Sequence, residues 1–144
     1  MQRLKPLAVA DQDSLRTVYR CNRPRQIVIL VHGTWASNAE WTGPNSPMVR
    51  ALRLRLDPNT TDVHALDWSG RNSPRARREA AVFLNKYLNQ LNLEFVDVPI
   101  TLVAHSHGGN IALTALAIAQ VNNASVVCLS TPFLRTQDSH RCMS

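Results

Sequence analysis

The residue of this chain best suited to chemistry is Ser106, in the run Ala104-His105-Ser106-His107-Gly108-Gly109. A serine hydroxyl attacks a carbonyl carbon once a base takes its proton and hydrogen-bond donors receive the charge that develops on oxygen. Residues 100–104 are apolar and read as a strand, and the residues after Ser106 read as a helix. The serine therefore stands at the tip of a sharp strand-to-helix turn, with its hydroxyl pushed clear of the sheet. Such a turn brings strand and helix backbones close together two positions before and two after the serine, so small residues are needed there. Ala104 and Gly108 fill both positions. The His107 N–H opens the helix and points to where negative charge would form, an arrangement that favours anions by geometry and by dipole.

A nucleophile also needs a base. His105 and His107 flank the serine, but adjacent side chains on a strand point to opposite sides. A base must come within about 2.6–3.2 Å of the hydroxyl in the right orientation, and neither neighbour is well placed for that. Both are expected to line the pocket or to support the turn. Two further loops carry polar and aromatic groups: His32-Gly33-Thr34-Trp35 and Trp68-Ser69-Gly70. Trp35, Trp41 and Trp68 fall in or near them, and either wall a pocket for an acyl or alkyl group or pack beneath the loops. Asp67 ends a strand beside the second loop and reads as the residue that orders it.

The elements that must position these groups are legible from periodicity. Residues 27–31 are continuously apolar and rich in β-branched side chains, as in a strand buried on both faces. A helix is predicted over 47–56, with Met48, Val49, Leu52 and Leu56 near helical spacing, stopped by Asp57-Pro58-Asn59. Residues 62–67 form the next strand. Pro74 opens a second helix whose inward face is Ala80, Ala81, Leu84, Leu88 and Leu91. A last buried strand spans 124–129. Residues 1–25 are a lead-in with a weak strand at 15–19, which would add one edge strand, and 26–144 form the domain. Alternating strands and helices call for an α/β fold, a parallel sheet with helices on both faces. Ligands of such sheets bind beyond the carboxyl ends of the strands. All three loops converge there.

The serine turn resembles the nucleophile elbow of the α/β-hydrolase superfamily, and within it the lipase- and esterase-like members. The family pattern is G-x-S-x-G; here it is AHSHG, with Ala104 at the first glycine. The resemblance implies a serine ester hydrolase working through an acyl-enzyme on Ser106. It places the second oxyanion donor just after the His-Gly pair, at the Thr34 backbone N–H beside that of His107. It makes His32 a support of its loop, and gives substrate contacts to His32, Gly33, Trp35, Trp68 and His105. It also implies an acid and then a histidine after the serine. Only 14 residues follow Ser130, and Asp138 and His140 are the acid and histidine among them. They stand two positions apart, which ill suits an acid–base–nucleophile line, so they are weak candidates. The resemblance thus covers about residues 26–135, an incomplete α/β-hydrolase core. The strand at 124–129 would be left at an apolar edge open to self-association. Two functions follow as expectations: an ester hydrolase impaired by lack of the late histidine, or an inactive hydrolase-like fragment serving as a binding module.

Composition bounds the rest. Apolar content of 44% and charged content of 18% fit one globular domain of 144 residues. The longest apolar runs, 27–31 and 111–119, fall far short of the roughly 20 residues that span a bilayer. The N-terminus has a basic start without an apolar core long enough for a secretion signal, so a cytoplasmic protein is expected. The formal charge is +6, and Arg71, Arg75, Arg77 and Arg78 concentrate much of the excess. That run reads as a solvated loop and helix start, with contact to an acidic substrate or membrane surface as the alternative. No nucleic-acid-binding motif accompanies it. Cys21, Cys128 and Cys142 have no zinc spacing and imply no disulfide framework; Cys128 reads as a buried small hydrophobe. No metal or cofactor is implied, and the partner expected is a small-molecule or lipid ester.

Overall fold

A computed structural model describes residues 13–36 and 39–133. Its elements run β1 (Ser14–Tyr19), β2 (Gln26–Val31), a 3-10 turn at Glu40–Thr42, α1 (Pro47–Arg55), β3 (Thr61–Asp67), α2 (Pro74–Glu94), β4 (Ile100–His105), α3 (His107–Ile118) and β5 (Ala124–Leu129). Asp138, His140 and Cys142 lie outside the described residues.

The five strands form one sheet in the order β1-β3-β2-β4-β5. β2 pairs in parallel with both β3 and β4, and β4 pairs in parallel with β5. β1 adds the edge strand expected from the lead-in, and it runs antiparallel to β3, with a register shift between Thr17 and Tyr19. The short link from β1 to β2 explains this, because a parallel crossover needs about a dozen residues or more. The chain can only turn back at the end where β1 stops.

β2 is central, and both of its faces are covered. Ile27, Ile29 and Val31 face one layer of core while Val28 and Leu30 face the other. This two-sided burial is why its sequence is a continuous apolar run rather than an alternation. α2 and α3 cover the first face with Ala80, Ala81, Leu84, Leu88 and Leu91 from one helix and Ile111, Ala112 and Ala115 from the other. α1 covers the second face through Val49 and Leu52, joined by Leu56 just past its end. Both α1 and α2 start on a serine cap followed by proline: Ser46 Oγ accepts from the Val49 N–H at 3.1 Å, and Ser73 Oγ from the Ala76 N–H at 3.0 Å. Each cap satisfies one helix-end donor and proline presets the first turn.

Cover thins toward β5. Val127, on the face that α1 serves, is 47% exposed, and among the described residues β5 pairs only with β4. Cys128 is half-buried rather than enclosed. No helix of the described residues is long and apolar enough to cross a membrane.

Candidate active site

Ser106 lies between the last residue of β4 and the first of α3, at φ 54° and ψ −132°. A non-glycine residue held there stores about 1–3 kcal/mol of strain, which the flanking elements must impose. They do so on both sides. The Ser106 N–H donates to the Leu129 carbonyl at 2.8 Å, continuing the β4–β5 ladder, and the Ser106 carbonyl accepts from the Gly109 N–H at 3.0 Å. The serine is half-buried.

Two glycines make the turn possible by what they lack. A methyl group on Gly108 would lie 2.5 Å from the Val31 carbonyl oxygen and 2.6 Å from that of His32. α3 therefore rests its first turn directly on the end of β2. A methyl on Gly33 would lie 2.9 Å from the Ser106 Cβ and 3.4 Å from its Oγ. The loop after β2 and the serine turn are thus in contact.

That loop is held from below. His32 is 1% exposed, and its Nδ1 lies 2.8 Å from the Gly33 carbonyl. A carbonyl only accepts, so Nδ1 carries the proton and Nε2 is free to accept from the Trp68 N–H at 3.5 Å. The Trp68 indole N–H donates to the His32 carbonyl at 2.9 Å, and the two rings stack 5.3 Å apart. Burial pushes the His32 pKa below its ordinary value, against the raising effect of the Gly33 carbonyl and of Asp67. The ring is a neutral strut. His32 and Trp68 (4% exposed) consequently offer no surface to a substrate here, which corrects the expectation of substrate contacts from both. The sequence places them in the crevice loops, but only the tertiary fold shows them turned inward.

Thr34 follows Gly33, and its backbone N–H has no acceptor among the described residues, as is also true of the His107 N–H at the start of α3. Trp35 is different: its N–H donates to the Gly70 carbonyl at 2.7 Å, tying the first loop to the second. Its φ is 56° and its side chain is 80% exposed, so it neither packs beneath the loop nor closes a pocket. Trp41 is half-buried on the α1 side and meets His105 edge-on, with ring centroids 6.3 Å apart.

None of the described histidines hydrogen-bonds the Ser106 hydroxyl. His107 Nδ1 lies 3.2 Å from Asn110 Nδ2, His105 is exposed against Trp41, and His32 is committed to its own loop. His64 is inside β3, 3.9 Å from Asp62 Oδ2. Asp67 is occupied too: Arg16 binds both its oxygens, at 2.9 and 3.3 Å, and reaches on to Thr42 Oγ1 at 3.0 Å. Sequence reasoning missed Arg16, whose role depends on β1 lying beside β3. It also missed Thr131 and Pro132 after β5, which close the other rim: Thr131 packs on Gly109, and the Pro132 carbonyl accepts from Asn110 Nδ2 at 3.2 Å. An open groove of about 910 Å³ runs along the first turns of α2, and another of about 810 Å³ lies by Trp41. Ser106 lines neither.

The sequence profile of the Alpha/beta hydrolase family matches residues 28–142. No curated protein matches the chain. Among solved structures, MenH from S. aureus is similar at a TM-score of 0.51 with 16% identity, over 83% of this chain and 42% of that one. The esterase EaEST from Exiguobacterium antarcticum is similar at a TM-score of 0.53 with 20% identity, over 83% of this chain and 41% of that one. The chain spans about two-fifths of the length of both. At these identities the likeness is one of fold.

Proposed function

This chain belongs to the alpha/beta hydrolase family, and from that premise we propose that it carries the nucleophile half of a serine hydrolase acting on carboxylic esters. The observation that carries the reading is the φ of 54° at Ser106 with the Gly33 backbone packed against it. Strain is held at a half-buried serine, between a loop and a helix start whose Thr34 and His107 N–H groups have no acceptor among the described residues. In this reading Ser106 Oγ attacks the acyl carbonyl, the alcohol leaves with a proton, and an acyl-enzyme forms for water to hydrolyse. The Thr34 and His107 N–H groups hold the oxyanion, each such donor being worth a factor of about 10²–10³ in rate.

The base is the open part of the scheme. Because the described histidines are engaged elsewhere, Ser106 would turn over very slowly unless His140, Asp138 or a group from another polypeptide reaches it. A fluorophosphonate probe tests the nucleophile directly: covalent labelling of the protein, abolished in Ser106→Ala, is the expected result. A burst with a p-nitrophenyl ester followed by slow turnover is expected beside it. Absence of labelling in folded protein refutes the reading.

Among the described residues no side chain hydrogen-bonds the Ser106 hydroxyl, and this favours a second reading, an inactive hydrolase-like module that binds rather than cleaves. It predicts no labelling and no burst. In either case the β5 edge would pair with a strand of a second copy, which concentration-dependent sedimentation would detect.

A further inference from the structure

Two features at the rim that carries Ser106 are left unused by the chemistry above. The first is Trp35, 80% exposed on a loop backbone pinned at φ 56°. An indole normally buries much of its large apolar surface, and this one is held out in solvent. The second is the arginine run at the start of α2, where Arg71, Arg75 and Arg78 are exposed and line a groove together with Val82 and Phe83. The α2 N-terminus itself is capped by Ser73, so the positive character comes from side chains. The bond from the Trp35 N–H to the Gly70 carbonyl, 2.7 Å long, sets the tryptophan beside the residue that precedes Arg71. β2, β3 and β4 are parallel, so these loops and Ser106 share one end of the sheet.

An exposed indole on a loop tied to the one that leads into clustered guanidinium groups has the chemistry of a lipid–water interface: the ring sits at headgroup level and the cations meet anionic headgroups. Charge complementarity selects an anionic surface. Among the described residues of the groove, Arg75, Arg78 and Lys86 outnumber the carboxylates Asp13 and Glu79 without counting Arg71, and Glu79 is paired with Arg75 at 2.8 Å. We propose that the face formed by Trp35, Arg71, Arg75 and Arg78 docks the protein on an anionic lipid surface, with Ser106 turned toward it. The proposal rests on the hydrolase reading only for what Ser106 would do once docked, in which case the ester is drawn from the bilayer.

The test uses the full chain carrying Ser106→Ala, so that binding is read apart from catalysis. Vesicles of phosphatidylglycerol mixed with phosphatidylcholine are compared with pure phosphatidylcholine by co-sedimentation and tryptophan emission. The expected result is binding to the anionic vesicles that weakens with salt, with a blue shift of emission. With Trp41 replaced by Phe throughout and Trp68 already buried, the shift should vanish in Trp35→Ala. Each arginine near an anionic surface contributes about fivefold, so Arg75→Ser with Arg78→Ser should lower the partition coefficient about twenty-five-fold, whereas the paired lysine substitutions should retain it. Equal binding to both vesicle types overturns the proposal. So does a blue shift that persists in Trp35→Ala, or binding of soluble glycerol phosphate without any binding to vesicles. Labelling of wild-type Ser106 by a fluorophosphonate reports on the hydrolase reading separately.

Discussion

Gly108→Ala adds one methyl group at the point where α3 rests on β2, and two effects of opposite sign compete there. Alanine is favoured over glycine in a helix by about 0.8–1.0 kcal/mol. Against this, the new carbon would lie 2.5 Å from the Val31 oxygen, 2.6 Å from the His32 oxygen and 3.1 Å from the His32 carbonyl carbon. Non-bonded carbon contacts are comfortable at about 3.5 Å or more, so α3 would have to retreat by most of an ångström. The opposing atoms belong to the backbone at the end of the central strand, whose neighbours on both sides are hydrogen-bonded, so β2 cannot yield in its place. Overpacking of this kind costs about 1–3 kcal/mol, and this contact sits at the upper end because no side chain can rotate away. The clash wins by about 1–2 kcal/mol, which at this chain length lowers Tm by roughly 5 °C. Because Gly33 touches Ser106 from the same side, the retreat also pulls the serine away from the Thr34 loop, and fluorophosphonate labelling should slow about tenfold or more. Thermal unfolding followed by circular dichroism measures the first effect and timed labelling the second. A variant as stable as the wild type, or more stable, with unchanged labelling would refute the seating of α3 on β2 and the reasoning built on it.

Trp68→Phe keeps most of the buried ring but removes the donor to the His32 carbonyl; a loss of about 1–3 kcal/mol is expected from the unpaired buried oxygen, read by urea denaturation. His32 and His64 both have their pKa lowered by burial, so the folded protein resists protonating them while the unfolded chain does not. Stability should therefore be full above the unfolded value of 6.5 and fall as pH drops below it, with His64→Gln flattening the decline in Tm between about pH 7 and 5.5. Arg16→Met breaks a half-exposed pair with Asp67, and screening limits the cost to about 1 kcal/mol; because Arg16 also grips Thr42, the larger effect should be faster proteolysis of the segment around the 3-10 turn.

Much of this molecule is local in origin and so could be read from the chain. The inward face of α2 follows from residues at helical spacing, and the buried centre of the sheet from a run too apolar for a strand with one wet face. The turn at Ser106 follows from Ala104 and Gly108, since the separation of strand and helix is set by the residues of the turn itself. What the sequence could not decide is which of several similar groups faces in. Trp35, Trp41 and Trp68 are the same side chain in or near neighbouring loops, yet one is exposed, one half-buried and one stacked on His32 in the core. That sorting depends on the partners that the fold brings from 36 residues away. The pairing of Arg16 with Asp67, 51 residues apart, needed β1 to lie against β3, a neighbour relation fixed by how the short link turns back. Periodicity sets which face of an element is apolar; only packing across the sheet sets what each polar or aromatic side chain meets.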